Sequence, residues 1–213
     1  MAASSPSGRT GGLILCGGKS SRMGKDKARL PFGDVTLLDL ALRHIAEVAD
    51  EIVVSVPADG DPPQPTVLPP IPPNWVRDDA AYRGPLFGLL HGFRALAPVA
   101  ARIVVMPVDM PFLSGVWLRR LLDGLTDHPA CAFRWEGYTN ALTAAYRANL
   151  LPRLEQLVAE GKQRPLALLE GLDVPILEVE QLWRASDGPS PMMDTDTPDD
   201  YERALVAAGL AKP

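Results

Sequence analysis

Cysteine is scarce in this chain. Cys16 and Cys131 are the only two in 213 residues and lie far apart, so neither a disulfide framework nor a zinc cluster is expected. A secretory signal is missing too, because the first ten residues, MAASSPSGRT, contain no apolar stretch. We therefore expect a cytoplasmic, reducing setting and a flexible leader over residues 1–10. No apolar run approaches the ~20 residues that span a bilayer, which excludes a membrane protein and points to a soluble one. Histidine is equally sparse: His44, His91 and His128 have no metal-ligand or triad spacing and read as structural. Positive charge is in deficit, at 21 Lys+Arg against 26 Asp+Glu, so the net charge of -5 argues against a nucleic-acid or anionic-membrane partner. A small-molecule substrate is the default that remains.

What is present is alternation. With 46% apolar residues the chain can bury one sizeable core, and one domain is expected over residues 11–213. Short apolar runs at Gly12–Cys16, Ile52–Val56, Trp75–Arg77 and Arg102–Met106 read as strands, the first buried on both faces and the second buried too. Between them lie stretches of helical period. Leu37, Leu38, Ala41, Leu42, Ile45 and Val48 form one, and Leu86, Leu89, Leu90 and Phe93 form another that starts at Pro85. A third, expected to be capped by Ser114, carries Val116, Trp117, Leu118, Leu121, Leu122 and Leu125 on its buried side. The segment from Pro57 to Pro73 holds eight of the 22 prolines and reads as an extended surface connection. Further on we expect strands at Ala130–Phe133, Ala141–Tyr146 and Val174–Val179, and helices at Leu150–Ala159 and Pro165–Leu172. A last helix opens at Thr197-Pro198-Asp199-Asp200. The fold class is α/β: a Rossmann-like, mostly parallel sheet with helices on both faces. Three loops leave strands at its carboxyl edge, where such sheets bind ligands: Gly17 to Lys27, Asp78 to Gly84, and Asp109 to Phe112.

The first of these loops carries phosphate chemistry. Leu15 to Lys27 reads LCGGKSSRMGKDK, in which Gly17, Gly18 and Gly24 let backbone N–H groups approach an anion and Lys19, Arg22, Lys25 and Lys27 balance its charge. It is not a Walker A loop, since five residues separate Gly18 from Gly24 and Asp26 follows Lys25; nor does it spell GxGxxG. From Gly17 to Arg29 five cations face one anion, net +4, which leaves -9 on the rest of the chain. Asp109 ends an apolar strand between Pro107 and Pro111, either as a carboxylate for a hard divalent cation, Mg2+ by the usual chemistry of nucleotide phosphates, or as a turn former ahead of Ser114. Asp78-Asp79, and Asp194 with Asp196, are open between a site role and a merely polar approach to a loop or helix. The tryptophans Trp75, Trp117, Trp135 and Trp183 read as packing residues.

With these residues in hand, the chain resembles the molybdenum cofactor guanylyltransferase family of nucleotidyltransferases. Leu15 to Lys27 fits every specified position of that family's L-x-G-G-x-S-x-R-M-G-x-D-K pattern. Gly84-Pro85-Leu86-Phe87-Gly88 is similar to its G-P-L-x-G segment, Val108-Asp109-Met110-Pro111-Phe112-Leu113 to its C-D-M-P-F-L, and Asp194-Thr195-Asp196-Thr197-Pro198-Asp199-Asp200 to its N-x-N-T-P-E-D. The resemblance implies a nucleotide-binding half over about residues 11–113 and an acceptor-binding half over about 114–213. It implies nucleotide contacts from Leu15, Cys16, Gly17, Gly18, Ser21, Lys27, Ser55, Asp78, Gly84 and Asp109. It places Arg22, Lys27 and Asp109 in catalysis, and Mg2+ on Asp109 and Asp196. The implied partners are GTP and a molybdopterin-type cofactor, with transient contact to molybdoenzymes or other cofactor-synthesis proteins, in a monomer or small homo-oligomer. Gly17 stands where related cytidylyltransferases tend to carry alanine, which favours GTP. The chain departs from the pattern at Ser55 and at Asp194 and Asp196, where relatives have asparagines, and at Asn140-Ala141-Leu142, which replaces a P-L segment ahead of Tyr146. Rival readings are a cytidylyltransferase, a transferase for another phosphorylated acceptor, and a nucleotide-binding module without catalysis.

Overall fold

The computed structural model describes residues 8–17, 26–59, 61–78 and 84–212. Strand β1 (Thr10–Leu15) is wholly buried and sits near the middle of the sheet. A two-stranded ribbon follows, β2 (Pro31–Phe32) with β3 (Val35–Thr36), and leads into helix α1 (Leu37–Ala46). Then come β4 (Glu51–Val56), β5 (Asn74–Arg77), α2 (Pro85–Leu96), β6 (Arg102–Pro107) and α3 (Gly115–Leu125). The second half contributes β7 (Ala130–Trp135), β8 (Tyr138–Arg147), α4 (Leu151–Ala159), β9 (Ile176–Glu178), α5 (Val179–Leu182) and α6 (Pro198–Ala207). The seven-stranded sheet runs β5-β4-β1-β6-β8-β7-β9. Its first four strands are parallel, with Leu13 level with Val53 on one side and Val105 on the other. Only β8 runs against its neighbours. This is a single α/β domain with a mostly parallel sheet.

Alternation along the strands builds two cores. Ile14, Ile52, Val54, Val104 and Met106 face α1 and α3, whereas Leu13, Val53, Ile103 and Val105 face α2 and α4. The helices following β1 and β5 therefore lie on opposite faces, as right-handed crossovers running in opposite directions along a sheet require. The chain reverses its direction of travel at β1, so the loops after β1 and β6 emerge side by side. Close approach of α1 to β1 depends on Gly12, where a Cβ would fall 2.7 Å from Ile45 Cδ1 and 3.0 Å from Ala49 Cβ. The edge strands are short: β5 has four residues and β9 three, preceded by Pro72-Pro73 and Pro175.

Several expectations change. Thr10, assigned to the leader, is 2% exposed and starts β1, and Arg9 pairs with Glu51 at 2.8 Å; residues 1–7 lie outside the described residues. Ser114 occupies the N-cap of α3 without a side-chain hydrogen bond, and Val116 is 62% exposed because it lies about 200° around the helix from Leu118. The helix expected over Pro165–Leu172 is a single 3-10 turn, Pro165–Leu168, since Gly171 at φ +73° turns the chain away. The strand expected over Val174–Val179 shrinks to β9 and passes into α5. In β8, Asn140-Ala141-Leu142 lies at a break in register with β7, between Ala132 and Phe133. There Asn140 Oδ1 accepts from Leu142 N at 2.9 Å, and Tyr146 Oη donates to Ala141 O at 2.6 Å, so Tyr146 is a core residue. Among the described residues no helix is long and apolar enough to cross a membrane.

The Gly12 contact yields a test. Gly12→Val should cost about 1–3 kcal/mol through overpacking against Ile45 and Ala49. That corresponds to a fall in melting temperature of roughly 2–4 °C per kcal/mol for a chain of this size. An unchanged melting temperature would show that α1 does not sit on β1 this closely.

Candidate active site

The carboxyl ends of β1, β4 and β6 are stitched together beyond the strands themselves. Cys16 N donates to Ser55 O at 2.8 Å and Val108 N to Leu15 O at 3.1 Å. The Leu15 carbonyl and Cys16 N–H are therefore engaged by the sheet and both side chains are buried, which leaves exposed Gly17 as the open end of this stretch. Burial, with Asp26 and Asp109 nearby, pushes the Cys16 thiol well above its ordinary range, so it stays protonated. Gly18, Ser21 and Arg22 lie outside the described residues.

Asp26 caps a 3-10 turn, Lys27–Arg29, by accepting from Ala28 N at 3.1 Å. The turn is seated by a small apolar cluster of Leu30, Phe32, Leu37 and Ala204, joined by Phe112, Met193, Tyr201 and Leu205. Phe32 and Phe112 meet edge to face at 5.9 Å, and Tyr201 Oη donates to Pro31 O. This cluster draws together the turn after β1, the loop after β6 and the start of α6. The start of α6 is fixed by a capping box in which Thr197 Oγ1 accepts from Asp200 N and Asp200 accepts from Thr197 N.

As a result Lys27 Nζ stands between two carboxylates, 2.7 Å from Asp109 Oδ2 and 2.5 Å from Asp196 Oδ1. Lys27 and Asp109 are mostly buried, at 17% and 19% side-chain exposure, while Asp196 is half exposed at 50%. Burial opposes the lysine's charge, but the Asp109 and Asp196 carboxylates outweigh it and raise its pKa, so the ammonium persists throughout the neutral range. Asp194 stands beside them, its Oδ1 accepting from Asp196 N at 3.3 Å. Its pKa is raised by burial and by the like charges of Asp196 and Asp109.

The loop after β6 is held from two sides. Thr195, fully buried, donates to Asp109 O through its N at 3.0 Å and its Oγ1 at 3.3 Å. His44 on α1 lies 3.3 Å from Pro111 O through Nε2; a carbonyl only accepts, so Nε2 carries the proton. Neither Thr195, His44 nor Asp26 was assigned a role in the sequence reading. For Asp26 the readable signal was a carboxylate two residues ahead of an otherwise uncapped turn; for the other two the sequence holds no signal, because both act on carbonyls.

The remaining expected residues are placed elsewhere along the edge. Asp78 and Gly84 sit at the end of β5 and the start of α2, with Asp78 N donating to Val56 O at 3.1 Å and Gly84 at φ +94°. Two strand spacings, about 10 Å, separate β5 from β1. Ser55 is 3% exposed and packs on Gly88 of α2, so the structure does not bring its side chain to Lys27. Among the described residues no group of three or more His, Cys, Asp or Glu is arranged around a metal position. Asp109 and Asp196 each direct one hard oxygen at the Lys27 ammonium, which holds the point where they converge; two carboxylates is also the number Mg2+ takes when phosphate and water oxygens complete its shell.

Residues 12–175 match the family model of the MobA-like NTP transferase domain. The probable molybdenum cofactor guanylyltransferase of Mycobacterium avium (strain 104) is 36% identical over 166 residues, covering 76% of this chain and 81% of that protein. Among solved structures, molybdopterin-guanine dinucleotide biosynthesis protein A of Archaeoglobus fulgidus superposes with a TM-score of 0.72 at 21% identity, over 94% of this chain and 100% of that one. A 4-diphosphocytidyl-2C-methyl-D-erythritol synthase of Anaerococcus prevotii reaches a TM-score of 0.67 at 13% identity, over 94% and 98%. The two structural likenesses show the fold alone, and because they carry different names the fold by itself does not select a nucleotide.

The His44 contact predicts a pH dependence. Burial lowers the His44 pKa, with Arg43 acting in the same direction, while the Pro111 carbonyl and Glu47 oppose them. The unfolded histidine titrates near ~6.5 and takes up a proton that the folded one resists, so stability rises with pH through the window below that value. Denaturant unfolding should therefore show a loss of stability as pH falls from about 7 toward 5. His44→Gln, which keeps a donor for Pro111, should flatten that slope; an equal slope in the variant would overturn the assignment.

Proposed function

The chain belongs to the MobA-like NTP transferase family and is a nucleotidyltransferase, and from that premise we propose that it transfers GMP from GTP to the phosphate of a molybdopterin-type cofactor, releasing pyrophosphate. The observation that carries the reading is the Lys27 ammonium held between Asp109 and Asp196 at the carboxyl edge, in a stretch, Gly17 to Arg29, of net charge +4. The name of the 36% identical relative supports guanine and the molybdenum cofactor as the two substrates.

The chemistry asks for positioning and charge neutralisation. A phosphate monoester has its second pKa near ~6 and is largely a dianion at neutral pH, so the acceptor oxygen needs no general base. It attacks the α-phosphorus of GTP in line; the new O–P bond forms as the bond to the β-phosphate oxygen breaks, and pyrophosphate leaves with the negative charge. A nucleotide laid along the sheet edge spans the distance from Asp78 and Gly84, on the nucleoside side, to Lys27 on the phosphate side. Lys27 stays charged because of its carboxylate neighbours and offers its ammonium to the phosphate oxygens. Asp109, fixed through its carbonyl by Thr195, keeps its carboxylate aimed at the same point. Asp109 and Asp196 would hold Mg2+, which when bound neutralises phosphate charge and orients the oxygens of the leaving group. Arg22, from the loop's sequence, is assigned to the same phosphates. Asp196 comes from the segment expected to hold the acceptor, so on this reading the two halves share one site.

Incubating the protein with molybdopterin, Mg2+ and an equimolar mixture of GTP and CTP should yield a guanine dinucleotide by mass and a matching release of pyrophosphate. A cytosine product would replace the guanylyl reading, and nucleotide binding without pyrophosphate release would replace the enzyme. Asp109→Ala should lower turnover at least about 100-fold, as loss of a charge-positioning group at a phosphoryl centre does, with little change in melting temperature.

A further inference from the structure

The proline-rich segment has no role in the chemistry above, yet it runs close to one described end of the phosphate loop and is hydrogen-bonded to the other. At one end, Pro57 Cγ lies 3.9 Å from where a Cβ on Gly17 would stand. At the other, the Arg29 guanidinium donates through one nitrogen to Asp61 O at 3.0 Å and Pro62 O at 3.2 Å. The same guanidinium bonds Asp26 Oδ2 at 3.1 Å through Nε, and Asp26 is the cap of the turn that carries Lys27. The segment is itself fastened. Asp39, 2% exposed on α1, accepts from Thr66 N at 2.9 Å and Thr66 Oγ1 at 2.5 Å while completing the capping box of Thr36. Burial would favour a protonated Asp39, but its bonds from Thr36 and Thr66 outweigh that and lower its pKa, so the anchor is a carboxylate.

The chemistry of the segment suits this task. Asp61 precedes Pro62 and Pro62 precedes Pro63, which confines both to extended backbone, and prolines have no N–H with which to engage these carbonyls locally. Two successive carbonyls are thus presented to one guanidinium with little conformational freedom to lose. We propose that the stretch from Asp61 to Pro73 is a splint that fixes the Lys27 turn, with Arg29 as the positioning residue that joins the two and Asp39–Thr66 as the point where the splint is fastened to α1. Arg29 acts through Asp26 and the turn backbone and so sets how rigidly Lys27 meets the phosphates of a nucleoside triphosphate. The link to the nucleotide rests on the function proposed above; the link to the turn does not.

Two charge-distinct variants of the full chain test it, Arg29→Ala and Thr66→Val, with Arg29→Lys as the conservative control. Thr66→Val alters no cation, which separates splinting from simple attraction between Arg29 and phosphate. Hydrogen exchange at the residue-29 and Leu30 amides, which donate to Asp26 O and Lys27 O, should accelerate several-fold in Arg29→Ala and Thr66→Val, with exchange in β1 unchanged. Arg29→Lys should restore part of the protection. Calorimetric GTP affinity in Mg2+ should fall about three- to tenfold in the first two variants, as small misplacements of a positioned group produce. Unchanged exchange at both amides would overturn the splint. Faster exchange with unchanged GTP affinity would overturn its role in the site. Failure of the unaltered chain to bind GTP would count against the nucleotide reading while leaving the exchange result to judge the splint.

Discussion

Three segments far apart in the chain meet at one ammonium. Lys27 lies 82 residues from Asp109 and 169 from Asp196, and its Nζ is the atom through which the loop after β1, the loop after β6 and the approach to α6 are brought into register. Stability does not explain this arrangement, because a mostly buried ion pair gains little over well-packed apolar groups once desolvation is counted. The apolar cluster of Leu30, Phe32, Leu37 and Ala204 holds the segments together without it. What the ammonium adds is electrical. Two carboxylates aimed at one point repel each other, and the Lys27 ammonium between them offsets that repulsion and lets them stay close.

Around that point the fold supplies rigidity through backbone contacts more than side chains. Val108 N to Leu15 O and Cys16 N to Ser55 O carry the ladder past the formal strand ends, and Thr195 and His44 hold the carbonyls of Asp109 and Pro111. The loops that carry these groups are thus rooted in a mostly parallel sheet buried on both faces. The loops vary in chemistry, but their roots are joined by backbone hydrogen bonds.

The architecture was legible where a one-dimensional pattern carries the physics. β1, β4 and β6 are short aliphatic runs bounded by turn residues, α1 and α2 have clean helical period, and Thr197-Pro198-Asp199-Asp200 is a capping signature. Thr36 with Asp39 carried the same signature and went unread. Leu166, Leu168, Leu169 and Leu172 mimic a helical stripe, yet a Pro165 start and a turn at Gly171 leave room for only one 3-10 turn. Val116 was misplaced because its neighbours Trp117 and Leu118 face inward, and adjacency says nothing about which side of a helix a residue takes. For the site, residue types and motifs named Lys27, Asp109 and Asp196, but their meeting at one atom is a property of packing. Ser55 shows the reverse case, a residue named from a motif position whose side chain the sheet turns toward α2.

The short outer strands have a consequence of a different kind. A sheet of seven strands ends in two rows of backbone donors and acceptors, which are templates for joining another chain edge to edge. Here β5 offers four residues behind Pro72-Pro73 and β9 three behind Pro175, with Glu178 placing a charge on the latter. Proline cannot extend a ladder, and a three- or four-residue row gives too few bonds to hold a stranger. The same residue type that supplies one of the carbonyls for Arg29 thereby also shortens the row of donors and acceptors that each outer strand offers for edge-to-edge pairing.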